Sequence, residues 1–552
     1  MIAAPQRKSY AKGVQKQNTR SVGIPAPVGG IVANNPMYTD VTAENAAIWL
    51  YNLVPRELGC AVRPGSVEFA TNIPDVANPL GGGDVRTIAF YNSIVAESAG
   101  GVDFLFVMTD AGIFDITAGG AGPWVAVLPW PASGGDAGWC SVVNYTNIAG
   151  DHYILVCDEL NGYYTFDGTV WAQGTIASSP PGLDAEDLAH VTEWGGRLWF
   201  TERNTARAWY LDVLDLAGTA QPLDAGSRFL KGGHLVQCAT WTIDDGVGLN
   251  DRLVMLSSGG DVLIWAGDPD IDADPLTLLG RWYVGAAVEG RRAVSNWGGE
   301  TSILSSYGVA KLTDLISGQY EASGRDTTTA NISRYFRSFM ETTRDLHGWS
   351  VEFAALEGLV IVSVPTPNVS APHIQFALNT NTGTWGMFRD LSMRCMSDTA
   401  HGFLFGTVDG RLMSLEGHAD NVTLDKLSSD TITFSMLTHY NALGDAAIWK
   451  RPHFIRPSWV GGAQPSYAVE IHYDFDLKEL TLSPPFTDAG NSLWDEALWD
   501  TTGKWEGLAQ NYHETIGVNG MGRHLAVALR GESASDLSLI GFDMMGDFGG
   551  ML

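Results

Sequence analysis

The densest group of potential ligands in the 552-residue sequence is Asp268-Pro269-Asp270-Ile271-Asp272-Ala273-Asp274. Carboxylates on alternate residues can hold Ca²⁺, because a hard cation takes several oxygen ligands from one loop. The EF-hand order fails, since the sixth position is Ala273 where the turn needs glycine and the twelfth is Leu279 where a glutamate chelates. Pro269 and Pro275 suit a rigid acidic surface loop instead. Other chemistry is hard to find. The sequence has no GxxxxGK[ST], no HExxH and no GxSxG. GVNGMG at residues 517–522 has the wrong order for a dinucleotide site. The 12 histidines are scattered without metal-ligand spacing. A glycosidase needs only two carboxylates, and among 62 acidic residues such a pair leaves no mark in the sequence. The sequence therefore assigns no catalytic, cofactor-binding or metal-binding residue.

Asn381-Thr382-Gly383-Thr384-Trp385 has the x-Gly-x-Trp part of the Asp-box turns of sialidases, with Asn381 in place of the required acid. The elements that would carry any site follow from composition. Hydrophobic residues are 45%, enough to bury a large core, and charged residues only 17%. Sixty-four glycines, 19 tryptophans, 17 tyrosines and 21 phenylalanines favour strands and tight turns over helical bundles. No run of 18 apolar residues exists, so no membrane span is expected. Residues 1–20 lack an apolar core and do not read as a secretory signal. Cys60, Cys140, Cys157, Cys238 and Cys395 form no CxxC pair and are odd in number. They read as reduced, mostly buried thiols of a protein made in a cytoplasm.

Lys and Arg number 33 against 62 Asp and Glu, a net charge of −29. Such a chain does not coat duplex DNA in the ordinary way, because DNA affinity comes from neutralising phosphates. Residues 1–20 differ, carrying Arg7, Lys8, Lys12, Lys16 and Arg20 and no acid, so the other residues sum to −34. Two readings are open: a solvated tail, or an arm that orders on an acidic partner. Residues 21–36, with Pro25, Pro27, Gly29, Gly30 and Pro36, read as an extended connector.

One pattern recurs seven times: an apolar strand, a short Gly- or Asp-containing turn, and a returning apolar strand. The copies begin at Asp103, His152, Gly196, Arg252, Glu300, Glu357 and Gly402, at intervals of 49, 44, 56, 48, 57 and 45 residues. Hairpins at that period, flanked by two further strands, indicate β-propeller blades. Strands sandwiched between blades are buried on both faces, which accounts for continuous apolar runs such as residues 359–364. A plain β-sandwich is the alternative. The seventh copy lacks a clear fourth strand, and the orphan segment GSVEFAT at residues 65–71 is left over to complete it.

Two stretches read as helical. Residues 42–53 place Ala43, Ala46, Ala47, Leu50 and Leu53 on one side. Residues 329–343 place Ile332, Tyr335, Phe336, Phe339 and Met340 at i, i+3, i+4, i+7 and i+8. This second helix either packs on the propeller's own face or contacts a neighbouring subunit through residues such as Tyr335 and Phe339. From residue 428 onward, longer alternating strands suit a β-sandwich with one wet face. Trp494, Trp499 and Trp505 either anchor a loop in that core or mark a contact patch. The expected organisation is all-β: an arm and connector over residues 1–36, a β-propeller of about seven four-stranded blades over 37–420, and an added C-terminal β-sandwich-like domain over 421–552.

The order of these features resembles the tail nozzle family of short-tailed bacteriophages, also called packaged-DNA stabilisation or tail accessory proteins. PAPVGGIVANNPMYTD from Pro25 and AAIWLYNLVPRELGCAVRPG from Ala46 resemble the family's Asn…Pro…Arg-x-Gly opening. ETSILSSYGVAKL from Glu300 resembles its Ser-x-x-Gly-hydrophobic hairpin. An amphipathic helix, a VSVP strand, TGTWGMF from Thr382 and FGTVDGRL from Phe405 follow in the family's order. WDEALWD from Trp494, GMGRHLAVAL and a Gly-Gly terminus at Gly549 and Gly550 resemble its end. The likeness spans about nine tenths of the chain at motif level, and departs from the family in the basic first 20 residues and the DPDIDADP insertion. It implies a virion structural protein without enzymatic activity or cofactor, a homohexamer around a channel below the portal and adaptor rings. Implied partners are the portal-adaptor proteins, tail fibres or spikes, and genomic DNA passing without sequence-specific binding. Acidic walls would repel phosphates and let DNA slide. The competing class is a receptor- or glycan-binding propeller, with polysaccharide hydrolysis as its enzymatic form.

Overall fold

The structure, a computed structural model, describes residues 19–34, 45–92, 103–179, 181–244, 249–272, 274–297, 299–317, 327–366, 373–478, 480 and 510–549. The repeat copies fold into antiparallel sheets, each running outward from an inner strand. The first blade is Thr87–Tyr91, Phe104–Thr109, Gly112–Asp115 and Ala126–Pro129. The second is Cys140–Thr146, His152–Asp158, Gly162–Phe166 and Trp171–Gln173. The third holds Leu188–Trp194, Arg197–Glu202, Arg207–Tyr210 and Gly218–Asp224, with Ile176–Ser178 added in parallel outside them. The fourth is Leu235–Asp244, Leu249–Ser257, Asp261–Ala266 and Thr277–Tyr283. Ser350–Ala354, Leu359–Val364, Ile374–Asn379 and Thr384–Arg389 form another, and Met393–Thr399, Gly402–Thr407 and Leu412–Ser414 begin the last. Burial on both faces is evident in the second strands: Leu105 to Met108, Ile154 to Cys157 and Leu359 to Val362 are all at most 1% exposed.

The last blade is finished by the leftover segment. Val67–Thr71 pairs antiparallel with Leu412–Ser414, setting Ala70 opposite Leu412 and Val67 opposite Ser414. Gly120–Ala121 then adds a parallel strand outside it. Residues from before the first copy thus close the ring, which removes an open sheet edge.

Seven four-stranded blades were expected, and six complete blades form. Among the described residues the copy at Glu300 supplies a three-stranded sheet, Val294–Trp297, Glu300–Ser305 and Gly308–Lys311. Where its fourth strand would run, the chain turns into the short helix Leu312–Ile316, burying Leu312 and Leu315. This narrower sheet lies between the fourth blade and the one starting at Ser350.

The expected helix at residues 42–53 is also corrected. Ala47–Tyr51 is a strand, buried along its whole length, and Leu53–Arg56 is another. Ala47–Tyr51 pairs with Ile432–Thr438 and touches Thr384–Arg389 in parallel at Tyr51 and Met387. An alanine-rich pattern satisfied the helical period, but two waiting sheet edges offered Ile48, Trp49 and Tyr51 better burial. The join makes one eight-stranded sheet of a propeller blade, Ala47–Tyr51, Ile432–Thr438, Leu525–Ser533 and Ser466–Tyr473. A seven-stranded sheet centred on Leu537–Phe548 and Lys450–Gly461 packs on its C-terminal half. Trp459 of the second sheet meets Phe434 at 5.6 Å and Tyr467 at 5.5 Å between ring centres, the core of a two-sheet layer.

The expected domain spans shift accordingly. Thr19–Pro25, placed in the end of the arm and the start of the connector, is an edge strand on Leu537–Phe548. Leu53–Arg56 and Gly59–Val62, placed in the propeller, complete the same C-terminal sheet. Thr19–Pro25, Ala47–Tyr51, Leu53–Arg56 and Gly59–Val62 therefore pair within the C-terminal sheets before the chain enters the propeller.

Candidate functional site

The inner strands present their starting ends to a shared mouth, and the most elaborate polar cluster of the described residues lies there. Arg86 precedes Thr87–Tyr91, Trp139 precedes Cys140–Thr146, Arg291 and Arg292 precede Val294–Trp297, His347 precedes Ser350–Ala354, and Arg394 lies on Met393–Thr399. Trp139 is the hub. His347 stacks on it at 5.6 Å and 19°, and the guanidinium carbons of Arg292 and Arg394 lie 5.3 and 5.0 Å from its ring centre. An indole face carries negative quadrupole density and attracts such cations.

Each arginine is also tied to a neighbouring blade. Arg292 donates to the carbonyls of Arg86 (3.0 Å) and Cys140 (3.1 Å) and to Thr87 Oγ1 (2.6 Å). Arg291 grips Glu159 with two bonds of 2.8 and 3.0 Å and the carbonyls of Leu235 and Val236 at 2.9 and 2.8 Å. Arg86 and Arg394 share Asp84, at 3.1 and 3.0 Å. The space left between Trp139, Glu159, Arg291, Arg292, His347 and Trp349 is about 10 Å³, room for a single water. The arginine hydrogen bonds of the cluster are thus spent on joining blades, while His347 Nδ1 is buried without a hydrogen-bond partner among the described residues. Sequence reasoning missed it; the Arg291-Arg292 pair in an acidic chain was its one visible signal.

Glu352 lies on Ser350–Ala354, where its side chain is half-buried. Burial pushes its carboxyl up to about 7, opposed by Arg292 and aided by Asp398.

Several buried carboxylates are structural staples. Asp158 takes the backbone amides of Gly138, Leu160 and Asn161 at 2.5, 3.0 and 2.8 Å. Asp261 takes Lys231 N at 2.7 Å, and Asp110 takes Val76 N at 2.9 Å. In each case a carboxylate next to a hairpin turn fixes the loop arriving from outside its own hairpin. All five cysteines are buried and free, and burial, opposed by Arg291, pushes the Cys238 thiol up to about 12, away from the reactive thiolate.

The acidic run of the fourth blade is held by a cation of the protein's own. Arg197 reaches from the third blade to Asp268 at 3.1 Å and Asp270 at 2.8 Å, with Asp268 also accepting the Asp270 amide. Trp385 of the x-Gly-x-Trp turn donates its indole N–H to the Thr328 carbonyl at 2.7 Å, an internal tie.

Of the residues expected to contact partners, Arg7, Lys8, Lys12 and Lys16 lie outside the described residues, as do Trp494, Trp499 and Trp505. Arg20 is exposed on the edge strand Thr19–Pro25. Tyr335 and Phe339 fall on the helix Ser333–Thr343 but face inward. Tyr335 donates its hydroxyl to Ile48 O at 3.2 Å, and Phe339 meets Phe376 at 5.9 Å. The helix packs on the molecule's own sheets through Phe336 and Met340.

No family model matches the sequence, and no curated protein matches it. Solved structures it resembles include the computationally designed Ika8 protein (11% identity, TM-score 0.32), covering 66% of this chain and 95% of that one. YCF48 from Cyanidioschyzon merolae matches at 12% identity and TM-score 0.33, over 60% of this chain and 95% of that one. A 6-phosphogluconolactonase-like protein of Bacteroides uniformis matches at 12% and 0.34, over 63% and 90%.

Proposed function

We propose that this chain is a structural subunit of a bacteriophage tail, a wall segment of a ring-shaped nozzle below the portal and adaptor rings. The ring, a homohexamer, retains packaged DNA and conducts it during ejection, and its outer faces carry tail fibres or spikes. The protein acts in the virion after synthesis in the host cytoplasm, with no catalytic step and no cofactor. The observation that carries the reading is the shared eight-stranded sheet. A propeller blade continues by backbone hydrogen bonds through Ala47–Tyr51 into the C-terminal unit. A subunit that must keep its shape against a pressurised genome gains from such continuity, because a hinge between the units would strain the bridge at Tyr51 and Met387 and the bond from Asn52 N to Met387 O at 2.8 Å. The motif-level likeness to tail nozzles and the charge of −29, suited to a duct that does not grip phosphate, support the same reading.

The test is cryo-electron microscopy of the intact particle, with this chain identified by cross-linking mass spectrometry. A ring of copies on the tail axis is the expected result. Stoichiometric absence from the virion, or release of reducing ends from host polysaccharide by the purified chain, would replace this reading with the glycan-binding one.

A further inference from the structure

The helix Ser333–Thr343 hides its apolar stripe and turns a charged face outward. Arg334 and Arg337 stand on successive turns of that exposed face. Neither forms an ion pair among the described residues, whereas Arg63, Arg86, Arg197, Arg291, Arg394 and Arg411 all do. Beside them runs an open groove of about 390 Å³, lined by Asn34, Ser333, Arg334, Arg337, Ser338 and Glu341. Its floor is fixed. Asn34 donates to Ala330 O at 2.7 Å and accepts from Ser333 Oγ at 3.0 Å, locking the strap of residues 31–34 against the helix start. Ser338 Oγ is tied back to Tyr335 O at 2.7 Å. The two guanidiniums are thus mounted on a rigid, packed helix.

We propose that this face docks an acidic surface of a second copy of the chain, making the helix the contact helix of the assembly through its arginines rather than through Tyr335 and Phe339. Charge complementarity argues for the occupant. With 62 acidic residues against 33 basic ones, a neighbouring copy offers carboxylates over most of its surface. Paired guanidiniums recognise them with forked, bidentate geometry that fixes orientation as well as attraction. A closed ring requires two different, complementary patches on each subunit, since a head-to-tail contact joins unlike surfaces. An acidic chain can supply the negative patch in many places but the positive patch in few. This inference rests on the ring reading above.

The experiment uses the full-length chain in native mass spectrometry and analytical ultracentrifugation, with circular dichroism and thermal melting as the check on folding. Wild-type protein is expected to form a closed oligomer that dissociates as salt rises. Arg334→Glu/Arg337→Glu is expected to stay folded and shift to monomer, with Arg334→Gln/Arg337→Gln intermediate and Arg337→Lys, which keeps the charge and loses the fork, weakening the ring less than the glutamine pair. A photo-cross-linker placed at Arg337 should capture an Asp- or Glu-containing peptide of another copy. Wild-type rings together with glutamate or glutamine variants that assemble equally well would overturn the docking face and leave the nozzle intact. Cross-links only within one copy would do the same. A wild-type chain that remains monomeric and is absent from the tail would overturn the ring reading itself.

Discussion

Arg63 and Asp420, 357 residues apart in sequence, form a buried bidentate ion pair, with bonds of 2.7 Å to Oδ1 and 2.5 Å to Oδ2. Arg63 is completely covered and spends its remaining donors on Asn52 Oδ1 (2.9 Å), Pro64 O (2.9 Å) and Arg389 O (3.3 Å). The pair sits where three paths meet: the chain entering the propeller, the blade that joins the shared sheet, and the exit toward the C-terminal unit.

Breaking one side of that pair should cost much more than replacing both. Asp420→Asn leaves a buried guanidinium without its counter-charge, a loss of about 3–5 kcal/mol. Arg63→Met/Asp420→Leu removes both charges together and should be less destabilising than either single change. Chemical denaturation of the three variants measures the order. A single variant as stable as the double would mean that the carbonyl bonds alone hold Arg63.

Low pH should act through His190. Burial holds its imidazole down to about 3, with Arg291 adding to the effect. The folded protein keeps it neutral while the unfolded chain protonates near 6.5. Its contribution is therefore complete above pH 6.5 and is lost progressively as pH falls toward 3. His190→Leu should flatten that part of the stability profile and leave the profile above pH 7 parallel to wild type. Melting temperatures from pH 3.5 to 8 are the readout, and an unchanged acid limb would assign the loss to other groups.

Glu352 should act in the opposite direction. Its carboxyl is raised to about 7 against an ordinary value of 4.5, so the folded state holds a proton that the unfolded state has released. Below pH 4.5 the residue contributes nothing to the pH dependence. Between 4.5 and 7 the wild type loses stability as pH rises, and above 7 the loss is complete. Glu352→Gln should match wild type near pH 4 and exceed it at pH 8. A variant less stable than wild type at pH 8 would show that the attraction of Arg292 outweighs burial.

The acidic loop gives a prediction about metals. Arg197 already neutralises Asp268 and Asp270, so calorimetric titration of the wild-type chain with Ca²⁺ should give no binding at micromolar concentrations. Arg197→Met, which frees both carboxylates, should raise the affinity. Tight binding by the wild type would mean that Asp272 and Asp274 suffice as ligands.

Much of the architecture was legible because hairpins repeat. The interval between apolar turns located every blade, and the unpaired segment at Val67–Thr71 could be matched to the incomplete last copy. The short fifth copy was not legible, because its helix at Leu312–Ile316 replaces a strand with residues that fit either structure. Ala47–Tyr51 was misread for a similar reason: its edge partners come from residues more than 300 positions away, and local period cannot see them. The mouth cluster around Trp139 draws arginines from three separate copies, each unremarkable in its own stretch of sequence. Tyr335 and Phe339 were on a true helix but on its inward face, and only packing distinguishes an apolar stripe used inside from one offered outside.

The sharpest consequence of the nozzle reading concerns where the negative charge lies. Six copies in a ring would carry about six times −29, far beyond what solubility asks. Acidic groups on the outside would serve only dispersion and fibre contacts. Acidic groups on the lumen would repel phosphates across the gap, over a range that salt limits to about 8–10 Å at physiological ionic strength. DNA in such a lumen stays centred and mobile, repelled on close approach and indifferent otherwise. The basic face at Arg334 and Arg337 would then point between subunits, covered by carboxylates, rather than into the duct. The axis-facing surface of the assembled ring should accordingly hold more Asp and Glu than Lys and Arg, and purified rings should fail to retain duplex DNA in a filter assay at 150 mM salt, a value near the physiological range. A lumen with net positive charge, or retention that weakens steeply with salt, would mean that the ring grips DNA, and the acidic composition would then need a different cause.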